Sequence, residues 1–155
     1  MEKTYYKAIF AAGCFWHVQE VFDKVSGVIA TVVGYAGGEG VPSYDNAEAL
    51  NYAEAIKISF DPRITTYSEL LEFFWKAHDP TSLNSQGADV GRRYRSTIFF
   101  RSEKQKNQAL ASREAAQKRF SRPIVTEITP EKNFYPAEEE HQKYFEKNVK
   151  HFCGL

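Results

Sequence analysis

Apolar residues along this chain switch several times between a strand-like and a helix-like period. Lys7–Ala12 and Gly27–Val33 read as strands, the second rich in β-branched side chains. Between them Phe15, Val18, Val21, Phe22 and Val25 recur at helical spacing, which predicts a helix over 15–25. Gly34 to Tyr44 is a glycine-rich connection in which the backbone can approach a ligand closely. Ala53–Phe60 alternates as a strand and stops at Asp61-Pro62. Thr66 with Glu69, and Ser102 with Gln105, form capping-box pairs, predicting helices over Tyr67–Ala77 and from Ser102 to about Arg119. Ser96–Arg101 and Ile124–Ile128 read as strands, and Pro136 suits the first position of a helix running to about Asn148. His78 to Arg95 is polar and irregular, and too long for a plain connector. Lys150–Leu155 has no pattern and is expected to be a mobile tail, beginning at about residue 149 and carrying Cys153.

Elements that alternate without a regular period predict an α+β or α/β sandwich, helices covering a mixed sheet. With no repeat and no linker, residues 1–155 are expected to form a single domain.

Composition narrows the function classes. Hydrophobic residues at 43% and charged residues at 26% fit a soluble globular protein. A formal net charge of zero gives no reason to expect nucleic-acid binding, and no apolar run reaches the ~20 residues of a membrane span. The start, Met1-Glu2-Lys3-Thr4-Tyr5, lacks the apolar core of a signal peptide, so a cytoplasmic protein is expected. Two cysteines do not make a disulfide framework. His78, His141, His151 and the cysteines lack the tight pairing of a metal site, and neither metal nor cofactor is expected.

The chemistry concentrates on Gly13-Cys14-Phe15-Trp16, which puts a cysteine at a strand-to-helix junction beside two aromatic rings. Helix N-termini lower thiol pKa through unpaired N–H groups, so Cys14 can be a nucleophile; a buried structural cysteine is the plainer reading. Motifs further along the chain decide between the two. Gly34-Tyr35-Ala36-Gly37-Gly38, Pro42-Ser43-Tyr44, Ala53-Glu54-Ala55, His78-Asp79-Pro80-Thr81, Gln86-Gly87-Ala88-Asp89, Tyr94-Arg95-Ser96 and Thr126-Glu127-Ile128 occur in that order. Phe134-Tyr135 and Ala137-Glu138 before His141-Gln142 continue the series. The whole resembles the peptide methionine sulfoxide reductases of the A type.

The resemblance implies an α+β two-layer sandwich with a ferredoxin-like core and long irregular loops. It implies reduction of methionine-S-sulfoxide, free or in proteins, with Cys14 taking the oxygen as a sulfenic acid. Phe15 and Trp16 match the pocket for the substrate's methyl group, and Glu54 matches the acid. A carboxyl among rings has its charged form desolvated and can hold a proton near neutrality. Tyr44 and Tyr94 match phenols that hydrogen-bond the sulfoxide oxygen, and Asp89 a carboxylate that orients partners. Cys153 matches a resolving thiol that forms a disulfide with Cys14, reopened by thioredoxin. A monomer is expected.

Two places depart from the family's usual pattern. His17 stands where many relatives have glycine, and Asn51-Tyr52 stands where Gly-His is common. A different thiol enzyme using Cys14, peroxide-reducing or thiol-exchanging, and a non-catalytic binder of oxidised methionine are the rival classes.

Overall fold

The computed structural model describes residues 6–148. In chain order the elements are β1 (Tyr6–Ala12), α1 (Phe15–Asp23), β2 (Val28–Ala36), β3 (Ala53–Phe60), α2 (Tyr67–Ala77), β4 (Ser85–Gln86), β5 (Asp89–Val90), β6 (Ser96–Phe100), α3 (Glu103–Gln117), β7 (Glu127–Pro130), β8 (Tyr135–Pro136) and α4 (Tyr144–Lys147). Short 3-10 turns lie at Arg92–Tyr94 and Glu139–His141.

The main sheet has the order β7-β6-β1-β3-β2-β8. Its four central strands, β6-β1-β3-β2, are antiparallel, with α1 leading from β1 to β2 and α2 following β3; this is the ferredoxin-like βαββαβ arrangement. The added β7 runs parallel to β6, which makes the sheet mixed and the fold α+β.

Alternation along β1 explains how the sheet buries both faces. Ala8, Phe10 and Ala12 join α1 and α2 residues such as Phe22, Leu70 and Phe74 in the main core. Ile9 and Ala11 point the other way and pack with Ala53, Ala55 and Phe99, with Phe134 laid against them. Both capping residues act as the sequence suggests. The Thr66 hydroxyl accepts from the Glu69 N–H at 3.1 Å, and the Ser102 hydroxyl from the Gln105 N–H at 3.1 Å.

Three expectations require correction. Strand β2 does not stop at Val33 but continues through Gly34, Tyr35 and Ala36, paired to β3 along that length. The strand expected at Ile124–Ile128 is β7, Glu127–Pro130, because its register against β6 begins at Glu127. Pro136 does not open a helix. It lies in β8, at the sheet edge, where a residue without an N–H is tolerated, and α4 is only Tyr144–Lys147. Within the irregular stretch from His78 to Arg95, Gly87 turns β4 back onto β5 through a positive φ of 58°.

Phe10 is fully buried with its ring 5.7 Å from Phe22, 6.0 Å from Tyr67 and 5.0 Å from Phe74. Phe10→Ala is expected to destabilise the fold by ~3–5 kcal/mol, measured by denaturant unfolding.

Candidate active site

Gly13 makes the turn that ends β1, at φ +89°; a Cβ there would meet Cγ of Gln86 at 2.7 Å. Cys14 comes next as the N-cap of α1, and its carbonyl accepts from the N–H groups of His17 and Val18. Phe15 and Trp16 form the first helical turn, Phe15 buried and Trp16 partly exposed.

The acid reaches this helix start from β3. Glu54, paired in register with Tyr35, is 1% exposed. Its Oε1 accepts from the Phe15 backbone N–H at 3.1 Å, so the carboxyl uses one of the donors that a helix N-terminus leaves unpaired. Its Oε2 accepts from Arg93 Nε at 2.9 Å. Burial pushes the Glu54 carboxyl up to about 7, against the downward pull of Arg93 and the Phe15 N–H; Asp89 adds a smaller upward push.

Cys14 departs from the expectation of an acidic thiol. Burial and then the Glu54 charge raise it to about 11, outweighing the N–H groups of Trp16 and His17. The resting group is a thiol, and its proton affinity is tied to that of Glu54. The phenols of Tyr44 and Tyr94 are likewise raised, by burial and then by Glu54, so both stay protonated donors at neutral pH.

The structure brings six of the sequence-predicted residues around Cys14. Tyr44 lies in the turn before β3, its ring 6.4 Å from Phe15 and stacked 6.3 Å from Trp16. Tyr94 closes the 3-10 turn after the β4–β5 hairpin. Asp89 opens β5 opposite Gln86, the residue packed on Gly13, and its charge acts on both Cys14 and Glu54. Cys153 lies outside the described residues.

His17 is exposed and its ring packs on Phe145 at 4.7 Å. Asn51 keeps the left-handed conformation (φ 63°) that a glycine would take easily. Its carbonyl accepts from Arg95 at 3.2 Å, while the buried Tyr52 hydroxyl donates to the Gly40 carbonyl. Asn51 thus makes the left-handed turn leading into β3 without a glycine.

Several residues of the site had no role from sequence. Arg93 spans Glu54 and the Tyr44 carbonyl, to which its Nη2 donates at 2.9 Å. Glu138 accepts from the Tyr35 hydroxyl at 2.6 Å and from the Tyr44 N–H at 3.0 Å. Burial works against its charge, but those donors win and hold it below the usual carboxylate range. His141 stacks 4.3 Å from the Tyr44 ring and accepts from the Trp16 indole N–H at 3.3 Å. Glu138 and His141 lie in sequence motifs that were visible; Arg93, just before Tyr94, lies in none of them. Tyr144 stacks on Trp16 at 3.7 Å, beside a groove of ≈ 470 Å³ that Gln19 and Phe145 also line.

The family model for peptide methionine sulfoxide reductase matches residues 6–155. The chain belongs to the peptide methionine sulfoxide reductase family. A curated relative, peptide methionine sulfoxide reductase MsrA of Methanosarcina acetivorans, is 53% identical over 146 residues, covering 91% of this chain and 78% of that protein. Among solved structures, Mxr1 from Saccharomyces cerevisiae in reduced form superposes with a TM-score of 0.90 at 35% identity, covering 96% of this chain and 90% of its own. Mxr1 solved in complex with Trx2 matches at a TM-score of 0.67 and 28% identity, over 93% of this chain and 89% of its own. This reductase shows no group of three or more potential metal ligands among the described residues. No helix among them is long and apolar enough to cross a membrane.

In a Cys153→Ser background, iodoacetamide alkylation of Cys14 is expected to titrate at about 11. Glu54→Gln removes a neighbouring negative charge, so the midpoint should fall; an unmoved midpoint would mean that the two groups are not coupled.

Proposed function

We propose that this enzyme reduces methionine-S-sulfoxide, free or within proteins, through a sulfenic acid on Cys14. The observation that carries the assignment is the hydrogen bond from Phe15 N–H to Glu54 Oε1, which holds a proton-binding carboxyl beside the nucleophile's own helix turn. A sulfoxide needs a nucleophile and a proton for its departing oxygen, and these two groups meet that need.

The substrate's methyl group packs against Phe15 and Trp16, and Tyr44 and Tyr94 donate to the sulfoxide oxygen as negative charge grows there. Cys14 gives up its proton and attacks as thiolate, while Glu54 delivers a proton to the oxygen. Oxygen passes to Cys14 as S–OH and the substrate leaves as the thioether. The thiol's proton replaces the one Glu54 gave, so the step balances without another reductant. Asp89 contributes charge at the site's edge and orients partners.

Cys153 then attacks the Cys14 sulfur, expelling water and forming a disulfide. A thioredoxin dithiol reopens it by exchange. The Mxr1 structure with Trx2 supports that reductant. Dependence on thioredoxin and on free thiols fits a reducing cytosol, where we place the protein.

Cys14→Ser should abolish reduction of methionine sulfoxide in a chirally resolved assay with dithiothreitol. Cys153→Ser should release one thioether per enzyme and then stall with thioredoxin; sustained thioredoxin-driven turnover in that variant would refute the resolving role.

A further inference from the structure

Arg93 takes no part in the steps above, yet three groups of the site meet on its side chain. Its Nε donates to Glu54 Oε2 at 2.9 Å and its Nη2 to the Tyr44 carbonyl at 2.9 Å. Its guanidinium lies over the Tyr44 ring at 4.6 Å and 5.8 Å from the Tyr94 ring. Exposed ion pairs contribute little, but here the side chains are 13% and 1% exposed, so solvent screens the pair weakly.

Arg93 is itself held in place. The N–H groups of Arg92 and Arg93 donate to the two oxygens of Glu48 at 2.9 and 3.0 Å. Gly91 makes room for that carboxylate, since a Cβ there would lie 2.7 Å from Glu48 Oε1. A buried contact between an arginine and an acid, braced from behind, is built rather than incidental.

We propose that Arg93 is a positioning residue that sets how firmly Glu54 holds the proton it delivers, and that aligns Glu54 with the Tyr44 segment. The inference rests on Glu54 being the acid of the reaction. The groups facing Glu54 come from every side. The Cys14 thiol and Phe15 N–H come from the start of α1, Asp89 from the hairpin, and Tyr44 from the preceding turn. Tyr35 comes from β2, and Arg93 with Tyr94 from the 3-10 turn. Arg93 is the cation of this set. Arginine stays charged at working pH, so it favours the carboxylate, opposing burial, Asp89 and any thiolate on Cys14.

Glu54 acts as acid only while protonated, so the rate falls as pH rises through about 7. Losing the arginine charge favours the protonated form and moves that fall to higher pH.

The test is the single-turnover rate of thioether release from methionine sulfoxide across pH, using the full chain. Arg93→Gln is expected to move the alkaline fall upward by ~1–3 pH units, the usual effect of one close opposite charge on a carboxyl. Arg93→Met, which keeps an apolar contact with Tyr44 but no charge, should move it the same way if Arg93→Gln does not fold. Arg93→Lys should leave it close to the wild-type position. A neutral variant with an unmoved fall, or a lysine variant displaced as far as glutamine, overturns the proposal. If Glu54→Gln still shows the same fall, the identity of the acid is wrong instead.

Discussion

The site depends on keeping one carboxyl group, Glu54, out of water without leaving it unpartnered. An ionised carboxylate buried alone costs far more than a fold of this size can tolerate, so it must neutralise or find donors. Glu54 does both in part. One oxygen takes the Phe15 N–H and the other takes Arg93, while burial lifts the proton affinity to about 7. The first of these contacts also joins β3 to the start of α1, so the geometry that satisfies the acid is the geometry that places it beside Cys14.

The surrounding structure serves that arrangement. The central position of β3 between β1 and β2 buries the acid, and the turn at Gly13 aims α1 across it. The segment after β8 closes the other side, with Gln142 bonded to both the N–H and the carbonyl of Val33 on β2. Through Glu138 and His141 the same segment fixes Tyr44, and through Tyr144 it covers Trp16. Burial dominates the electrostatics of this arrangement: it lifts the Glu54 carboxyl to about 7 and, with the Glu54 charge, leaves Cys14 a poor acid at rest.

Much of this was legible in the sequence where local physics decides the outcome. The Thr66 and Ser102 caps, the apolar period of α1 and the alternation of β3 each depend on neighbours a few residues away. Pro136 misleads for the opposite reason. Its fixed φ suits a helix start, but pairing with Gly34, about a hundred residues earlier, places it in an edge strand. The two-residue strands β4 and β5 are too short to have a period. At the site, ordered motifs identify Cys14, Glu54, Tyr44, Tyr94 and Asp89 as a set, but not the sign of the thiol's shift, since that depends on burial and on Glu54's charge. Arg93 was invisible because only the folded chain shows its guanidinium turned inward.

The most direct measurement is a carbon-13 NMR titration of the Glu54 side-chain carboxyl in the reduced enzyme, its signal assigned by loss in Glu54→Gln. A midpoint near 7 is expected, well above the ordinary 4.5. A midpoint at the ordinary value would contradict the buried, proton-holding carboxyl on which the mechanism stands.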